Sequence, residues 1–424
     1  MHGDETGSGR DEFIELGSSG LRRSGGIINE EFLPNLQGVK GFKVYREMRD
    51  NDPVVGAMLY AIDKVITRLE WKVEGEDERT ATFVQECIDD MSDSWDATLQ
   101  NILSMLVYGW SFHEVVYKIR GGMTDDPKTD SRFKDFRIGW RKWPVRAQET
   151  LQEWMLDERG GIQGMIQMDP SGGGLHRIPI EKALLFRTTT NRNNPEGYSL
   201  LRNAYRPWYY KRRIEEIEAV GIERDLAGLP MAYVPPEYLM NTANAAQKAV
   251  LNTITEIVQN VKRNEQEGIV FPAAYDEQGN RVFDLTLLSA SGTRQFDTGS
   301  VIQRYDQRIS MSLLSDFLLL GSDRVGSFAL GTAKVDLWTL AVDSIAKTIA
   351  EVVNQYAIPR LLKLNAMRTD RMPELTYGQV SSVELNEVAD YVSKLMGVGA
   401  IMPDPQLETH LRSLGDLPES EPLI

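Results

Sequence analysis

Four carboxylates between residues 89 and 96 form the densest cluster of potential metal ligands in the chain: Asp89, Asp90, Asp93 and Asp96. Such a cluster could bind a divalent cation and support metal-dependent cleavage of DNA. The cluster lies between two predicted helices, however, where Asp and Ser commonly cap helix ends and remain in solvent. We therefore interpret it as structural capping and keep a metal-dependent DNA-processing enzyme as the alternative.

A second segment is similar to a phosphate-binding loop. Residues 321–327 read Gly-Ser-Asp-Arg-Val-Gly-Ser, which has the glycine spacing of a P-loop but lacks the lysine that contacts the phosphates. The segment also joins two predicted helices and does not follow a strand. We therefore predict a mobile loop and no nucleotide-binding site.

No set of residues predicts nucleophilic catalysis or zinc binding. The four histidines are scattered, Cys87 is the only cysteine, and no H-x-x-H pair occurs. His113 lies in a strand-like run, so we expect a buried histidine whose hydrogen bonds are satisfied. We predict no catalytic residues, no enzyme activity, no metal and no cofactor. The single cysteine favours a reducing compartment.

Length and charge limit the remaining possibilities. A chain of 424 residues is too long to fold around a single ordinary hydrophobic core, so we expect about two or three domains. No apolar run reaches the roughly 18–20 residues that a membrane span requires. The formal net charge is −15 at pH 7, and a protein this acidic does not hold DNA tightly through its phosphates. If DNA is a partner, it must slide past the protein.

One long helix organises the predicted architecture. The turn signal Asn194-Pro195-Glu196-Gly197 precedes roughly 28 residues of helical character, a length that corresponds to about 40 Å. The basic run Lys211-Arg212-Arg213 precedes three glutamates, so pairs such as Arg212–Glu216 have i,i+4 spacing. A long helix with polar and apolar residues distributed around nearly its whole circumference either bridges between domains or packs sideways against copies of itself. The basic run could also contact DNA phosphates, but we prefer a solvated face that pairs with its own glutamates.

The elements around this helix predict an α+β, mainly helical chain. Residues 42–196 combine short helices and strands, and a small module with a helix over Ala245–Lys262 follows the long helix. A second polar-rich helix is predicted over Arg294–Leu319, and the clearest amphipathic helix over Ala333–Tyr356. Further helices are predicted over Val383–Met396 and Pro405–Leu414.

Two sequence segments, taken together with this order of elements, make a resemblance to a known family more specific. The first is Asn194-Pro195-x-Gly197-x-Ser199-Leu200-Leu201-Arg202, which continues through Ala204-Tyr205-Arg206-Pro207-Trp208-Tyr209 to Gly221-x-Glu223-Arg224. The second is Gly397-x-Gly399-x-Ile401, followed by Leu414-Gly415-x-Leu417-Pro418. From about Phe42 to its C-terminus the chain resembles the portal proteins (head–tail connectors) of tailed bacteriophages, in the siphophage and Mu-like group.

The resemblance implies a portal-type subunit with a wing, a two-helix stem, an inserted α/β clip, a tunnel loop and a long wing helix. The segments would be the α+β wing (42–196), the first stem helix (197–228), the clip (229–292), the second stem helix (293–320), the tunnel loop (321–332), the long wing helix with the following segment (333–376) and crown-like C-terminal helices (377–424). Residues 1–41 have no assigned counterpart in the family. Their content of Gly, Ser and charged residues predicts a flexible N-terminal arm with one or two short docking segments.

The resemblance also implies a function. Proteins of this family form a homo-oligomeric ring, usually of about twelve subunits, at one capsid vertex. Double-stranded DNA passes through the channel without sequence specificity during packaging, retention and ejection. The implied partners are the major capsid and scaffolding proteins, the terminase large subunit and a head–tail adaptor, with no membrane. The ring would assemble in the host cytoplasm and remain at the portal vertex of the virion. A non-portal structural or adaptor protein of the virion is the remaining alternative.

Two groups of residues receive roles from the resemblance. In the tunnel loop, Arg324 is the one cation between Gly321 and Gly331, and we expect it to face DNA. The other loop residues expected to face DNA are Ser322, Ser327 and Phe328. The stem charges expected to contact neighbouring subunits are Lys211, Arg212, Arg213, Glu215, Glu216 and Glu218.

Overall fold

The computed structural model describes residues 17–126, 128–227, 229–240, 242–260, 275, 278–279, 281, 283–288, 297–313 and 328–380. The chain divides into two compact units. The first unit comprises Met1–Asn203 with Ser310–Ile424, and the second comprises Ala204–Ile309.

The first unit begins with a short antiparallel hairpin formed by β1 (Arg23–Ser24) and β2 (Ile27–Ile28). The sequence predicts a flexible arm with one or two short docking segments over residues 1–41. Within it, residues 17–41 contain this hairpin, a single 3-10 turn and the start of a helix. The hairpin strands are two residues long, so they carry no periodic signal that sequence reasoning could detect.

Five helices follow, with one strand between the second and the third. They are α1 (Gly38–Asn51), α2 (Pro53–Arg68), β3 (Trp71–Glu74), α3 (Glu78–Asp89), α4 (Trp95–Ile102) and α5 (Ser104–Tyr108). Asp52 separates the first two helices, and its carboxylate accepts hydrogen bonds from the backbone N–H groups of Val54 and Val55. With Pro53 in the first helical position, this cap confirms the start signal predicted from the sequence.

The strands of the first unit form small antiparallel sheets. They are β4 (Trp110–Glu114), β5 (Val116–Gly121), β6 (Lys134–Lys142), β7 (Val145–Arg146), β8 (Leu151–Leu156), β9 (Ile162–Met168), β10 (Leu175–Pro179) and β11 (Ala183–Arg187). β4 lies between β11 and β7, β9 lies between β10 and β8, and β5 pairs with β6. The sequence predicts one strand from Phe112 to Ile119. The structure divides it at the buried Val115, whose N–H donates to Lys182 O at 2.8 Å, so β4 and β5 join different sheets.

Tryptophan side chains occupy the core between these helices and sheets. Trp110, Trp140, Trp143 and Trp154 are almost completely buried. Trp140 and Trp143 meet edge to face with ring centroids 5.0 Å apart, and Trp110 and Trp154 do so at 4.9 Å. Tryptophans that fall in patterned elements of the sequence are expected in the core and not as platforms for stacking bases, and the structure confirms this for these four. The edge-to-face geometry adds to the stability that comes from their burial.

The first unit ends, within the described residues, with α10 (Phe328–Val352), one π-helical turn (Val353–Ala357), α11 (Ile358–Leu364) and β14 (Glu374–Tyr377), which pairs with β3. Val342, Ala346, Ile349 and Val353 form the buried stripe of this helix. The sequence places Tyr356 on the same stripe, but it is 40% exposed. Tyr356 lies within the π turn, whose wider winding shifts the helical register, so a strict 3.6-residue extrapolation no longer holds at this residue.

The second unit contains two long helices and a small module between them. The long helices are α6 (Tyr205–Ala227) and α9 (Thr298–Ser312), which begins in this unit. The module comprises β12 (Leu229–Tyr233), α7 (Pro236–Leu239), α8 (Ala245–Asn260) and β13 (Asp284–Leu288). β12 and β13 are antiparallel, and the rings of Tyr238 and Phe283 meet edge to face at 5.5 Å. In the described part of the chain, no helix is long and apolar enough to cross a membrane.

Candidate functional site

The two long helices of the second unit are joined by one buried ion pair and by contacts on either side of it. Lys211 on α6 is buried, and its Nζ lies 2.6 Å from Asp306 Oδ1 on α9. Thr298 Oγ1 donates a hydrogen bond to the Glu218 carboxylate. Because position along α9 falls from 306 to 298 as position along α6 rises from 211 to 218, the two helices run antiparallel.

Aromatic rings extend this pairing by one residue. Tyr210 and Tyr305 stack with their ring centroids 6.4 Å apart and an interplanar angle of 27°. Each of these tyrosines directly precedes a member of the Lys211–Asp306 ion pair. The pairing of α6 with α9 is therefore specified by an ion pair, a ring contact and a hydrogen bond, all from side chains within the same chain.

The remaining predicted stem charges lie on the exposed part of α6. Arg212 Nε lies 3.1 Å from Glu216 Oε1, as the i,i+4 spacing predicts, and Arg213 and Glu215 are also exposed. From the sequence, all six charges are expected to contact neighbouring subunits, whereas in the structure Lys211 and Glu218 contact α9. A signal for this was present, because residues seven apart lie on one face of a helix. Lys211 Nζ also lies 3.9 Å from Glu215 Oε1 on its own helix.

Apolar side chains accompany the exposed charges on α6. Ile217 is 69% exposed, and Val220 and Ile222 are about half exposed. A helix that shows isoleucine and valine to solvent beside mixed charges has the composition of a surface that another protein covers.

The tunnel-loop residues named from the sequence fall at the limit of the described chain. Ser322, Arg324 and Ser327 lie outside the described residues. Phe328 is the first residue of α10, which therefore begins inside the segment that the sequence predicts as a loop. The DNA-facing role of these four residues stays a prediction.

The turn that precedes α6 is held by close backbone contacts. Gly197 has a φ of +56°, and a Cβ there would lie 2.3 Å from Gly109 O, so only glycine fits. Ser199 Oγ donates to Val107 O at 2.5 Å and accepts from Leu201 N at 3.1 Å. Thr188 Oγ1 donates to Tyr198 O at 2.6 Å. The residues of the sequence motif thus position the backbone and perform no chemistry of their own.

Glu196 is the ionisable group of this turn. Its Oε1 accepts a hydrogen bond from Trp154 Nε1 at 3.2 Å. Burial raises the pKa of this carboxyl to about 7, and the hydrogen bond from Trp154 only partly offsets the effect. Glu196 therefore changes its charge near neutral pH.

The acidic cluster at residues 89–96 is divided between a buried ion pair and the surface. Asp90 Oδ2 lies 3.0 Å from Lys118 Nζ, and both side chains are almost completely buried. Burial opposes ionisation of Asp90, but hydrogen bonds from Arg132 N and Ser131 Oγ, together with the Lys118 ammonium, outweigh it and lower the pKa of this carboxyl. Ser94 caps the start of α4 by accepting from Ala97 N, and Asp90 occupies the C-terminal cap of α3, so the capping interpretation holds for both. The expectation that these residues remain in solvent is wrong for Asp90, which is buried.

His113 shows why a serine–histidine contact in this chain is structural. Its Nε2 lies 2.6 Å from Ser111 Oγ, and its Nδ1 lies 2.8 Å from Trp143 O. Both residues are completely buried, so no substrate reaches them. The burial of His113 and these two contacts confirm the prediction of a core histidine with satisfied hydrogen bonds. The same burial lowers the pKa of His113 to about 4.

Other arrangements that could support catalysis are equally lacking in the described residues. No group of three or more His, Cys, Asp or Glu side chains there could hold a metal ion. An open cleft of about 660 Å³ beside Arg120 has neither histidine nor cysteine in its lining.

Comparison with known proteins gives a family match and a set of similar folds. The family model described as the portal protein of Mu bacteriophage matches residues 42–412. The neck of an empty gene transfer agent (GTA) particle, computed with C6 symmetry, is 11% identical, with a TM-score of 0.54 over 89% of this chain and 94% of that chain. The neck of a native GTA particle, computed with C12 symmetry, is 12% identical, with a TM-score of 0.53 over the same shares.

A third similar structure is an HK97 family phage portal protein from Corynebacterium diphtheriae. It is 12% identical, with a TM-score of 0.43 over 77% of this chain and 92% of that chain. At identities of 11–12%, the GTA matches show a shared mixed helix-and-strand fold and nothing about particular residues.

Proposed function

The chain belongs to the family of portal proteins of Mu bacteriophage, and from this premise we propose that it forms a ring-shaped channel at one capsid vertex. The observation that carries the proposal is the antiparallel pair α6 and α9. In the sequence, an α/β module is inserted between these two helices. A helix pair of this kind can line a channel, while the inserted module projects beyond it as a docking surface.

The elements can be assigned to the parts of such a ring. We assign α6 and α9 to the stem and the module from Leu229 to Leu288 to the clip. The helices and sheets between residues 42 and 196 form the wing, and α10 is the long wing helix. The order of elements and the division of the chain at residues 204–309 support these assignments.

The exposed part of α6 contacts the neighbouring copy in the proposed ring. Arg212, Arg213, Glu215 and Glu216 offer both charge signs, so one copy can pair with the next at many points. Ile217, with 69% of its side chain exposed, adds apolar area that assembly would bury. Lys211 and Glu218 already contact α9, so their part in assembly is to hold the helix pair in shape. The C12 symmetry of the GTA neck supports a ring of twelve copies.

DNA passes through the proposed channel without being gripped. The formal net charge of −15 repels the phosphates, so the walls do not stall a moving duplex. We infer that Arg324, the one cation between Gly321 and Gly331, touches the passing DNA. The clip docks the terminase large subunit and later an adaptor, and the wing contacts capsid and scaffolding proteins. In this role the protein is a structural component of the virion, assembled in the host cytoplasm, and catalyses no reaction.

Negative-stain imaging of the purified full chain tests the proposal. We expect rings with an axial channel, because the exposed surface of α6 then becomes buried between copies. Ile217→Asp should prevent or weaken ring formation, whereas Met123→Asp, at an even more exposed apolar position in the first unit, should leave rings intact. Monodisperse monomers under all conditions would contradict the proposal.

A further inference from the structure

A short N-terminal segment, Arg22–Phe32, binds a distant part of the first unit. We name it the clasp. It precedes residue 42, where the family match begins, so the family description does not cover it. Gly26 O accepts a hydrogen bond from Trp154 N at 2.8 Å. The Arg23 guanidinium donates to Asp157 O at 2.9 Å and to Glu158 O at 3.0 Å. These contacts fix the β1–β2 hairpin to β8 and the turn that follows it.

The second half of the clasp binds the segment that leads into α6. We name that segment, residues 191–203, the connector. The Glu31 carboxylate accepts two hydrogen bonds from the Arg202 guanidinium. Nε donates to Oε2 at 2.5 Å and Nη2 donates to Oε1 at 2.9 Å. Glu30 Oε2 lies 3.3 Å from Arg192 NH1 near the other end of the connector. The clasp therefore holds the connector near both of its ends.

Trp154 links the clasp to the middle of the connector. Its backbone N–H donates to Gly26 of the clasp, and its indole Nε1 donates to Glu196 of the connector at 3.2 Å. Movement of the hairpin away from β8 would therefore disturb the residue that holds the central carboxylate of the connector.

The clasp buries few apolar side chains. Its strands are two residues long, and Ile27 and Phe32 are 57% and 78% exposed, although the Arg202 guanidinium lies over the Phe32 ring at 5.2 Å from its centroid. In the Glu30–Arg192 pair 56% of the arginine side chain is exposed, so salt screens this pair more than the better shielded Glu31–Arg202 pair. Segments with few buried apolar contacts open at lower free energy than the core to which they are attached.

We propose that Arg22–Phe32 is a releasable clasp that holds the connector closed, and that its opening frees the connector while the rest of the first unit stays folded. The proposal concerns the motion of one chain and does not depend on ring formation or on DNA.

Hydrogen exchange followed by mass spectrometry on the full chain tests this directly. In Glu31→Gln the Arg202 guanidinium loses its charged partner, and we expect amides of residues 191–203 to exchange about tenfold faster, as for a segment that opens locally. Gly26→Ala opens the hairpin contact independently, because its Cβ would lie 2.2 Å from Trp154 O. Gly17→Ala is the matched control, since a Cβ there meets nothing within 4 Å.

Exchange in α3 and β4 reports whether each variant remains folded, and it should not change. If a variant fails to fold, hydrogen exchange of the wild type is compared at high and at low salt instead. Amides of the connector should then exchange faster at high salt. The proposal is wrong if amides of the clasp accelerate in folded variants while those of the connector keep the wild-type rate.

Discussion

Lys211 on α6 and Asp306 on α9 form a partly buried ion pair, with Nζ and Oδ1 2.6 Å apart. Only 5% of the lysine side chain is exposed, compared with 25% of the aspartate side chain. The pair lies between two helices that are separated in sequence by the whole inserted module. It therefore fixes which face of α6 turns toward α9 and which face stays available to a partner.

Removal of the ammonium should weaken this helix pair. We expect Lys211→Met to lower the free energy of unfolding by roughly 1–3 kcal/mol, because Asp306 keeps a charge without its partner but can still reach water. Arg212→Met, which removes an exposed charge on the next residue, should cost less than about 1 kcal/mol. Urea unfolding of both variants measures the difference. Equal losses would show that the Lys211–Asp306 pair has no special role.

Ionisation of Glu196 should make stability fall as the pH rises. The pKa of this carboxyl is about 7 in the folded chain, above its ordinary value of 4.5, so the folded state retains a proton that the unfolded state has lost. The contribution is complete below about pH 4.5 and disappears as the pH rises through about 7.

Glu196→Gln keeps an acceptor for Trp154 Nε1 but cannot ionise. We therefore expect this variant to be more stable than the wild type at pH 8, by about 2 kcal/mol, and to gain much less at pH 5. Thermal unfolding at several pH values gives the comparison, with the exposed Glu158→Gln as control. A Glu196→Gln advantage that does not vary with pH would rule out the titration.

His113 should have the opposite pH dependence. Burial lowers its pKa to about 4 from the ordinary 6.5, so the folded state resists protonation that the unfolded state accepts. Stability from this residue is present above about pH 6.5 and falls as the pH drops toward 4, by roughly 2–3 kcal/mol in total. His113→Gln should flatten this part of the pH profile, which thermal unfolding between pH 4 and pH 7 measures. An acid profile of His113→Gln identical to that of the wild type would contradict the assignment.

Asp90 should be a stabilising residue and not a metal ligand. Asp90→Asn leaves the Lys118 ammonium buried without its countercharge, so we expect a loss of about 2–4 kcal/mol in urea unfolding. Asp93 is exposed, so Asp93→Ala should have little effect on stability. The same proteins can be incubated with DNA and Mg²⁺ or Mn²⁺. Cleavage that disappears in Asp93→Ala would favour the DNA-processing enzyme over the portal.

Arg324 should influence the movement of DNA and not the assembly of the ring. We expect Arg324→Ala to form rings of normal appearance and to change packaging or DNA retention in an assembled particle, because it removes the one cation between Gly321 and Gly331. Arg324→Lys keeps the charge and serves as the control. Unchanged packaging and retention in Arg324→Ala would show that the residue has no contact with DNA that matters.

Local patterns in the sequence determined much of the fold and the family. The Asp52-Pro53 start signal, the strand Ala183–Arg187 and the helices before and after the inserted module depend on neighbouring residues alone, and the structure contains them. The Asn194–Arg202 motif, with the order of elements, was sufficient to recognise the portal family. Such features are readable because caps, turns and periodicity act within a few residues.

Contacts between distant residues were decided only by the tertiary structure. The pairing of Asp90 with Lys118 and the burial of Lys211 against Asp306 turned apparent surface charges into internal ones. The clasp lies in a segment whose composition predicts a flexible arm. Its contacts with Trp154 and Arg202 are visible only in the structure. The sequence around a charged residue does not show whether its side chain lies in water or in a buried ion pair. Its environment is set by whichever distant segment packs against it, and that packing belongs to the fold as a whole.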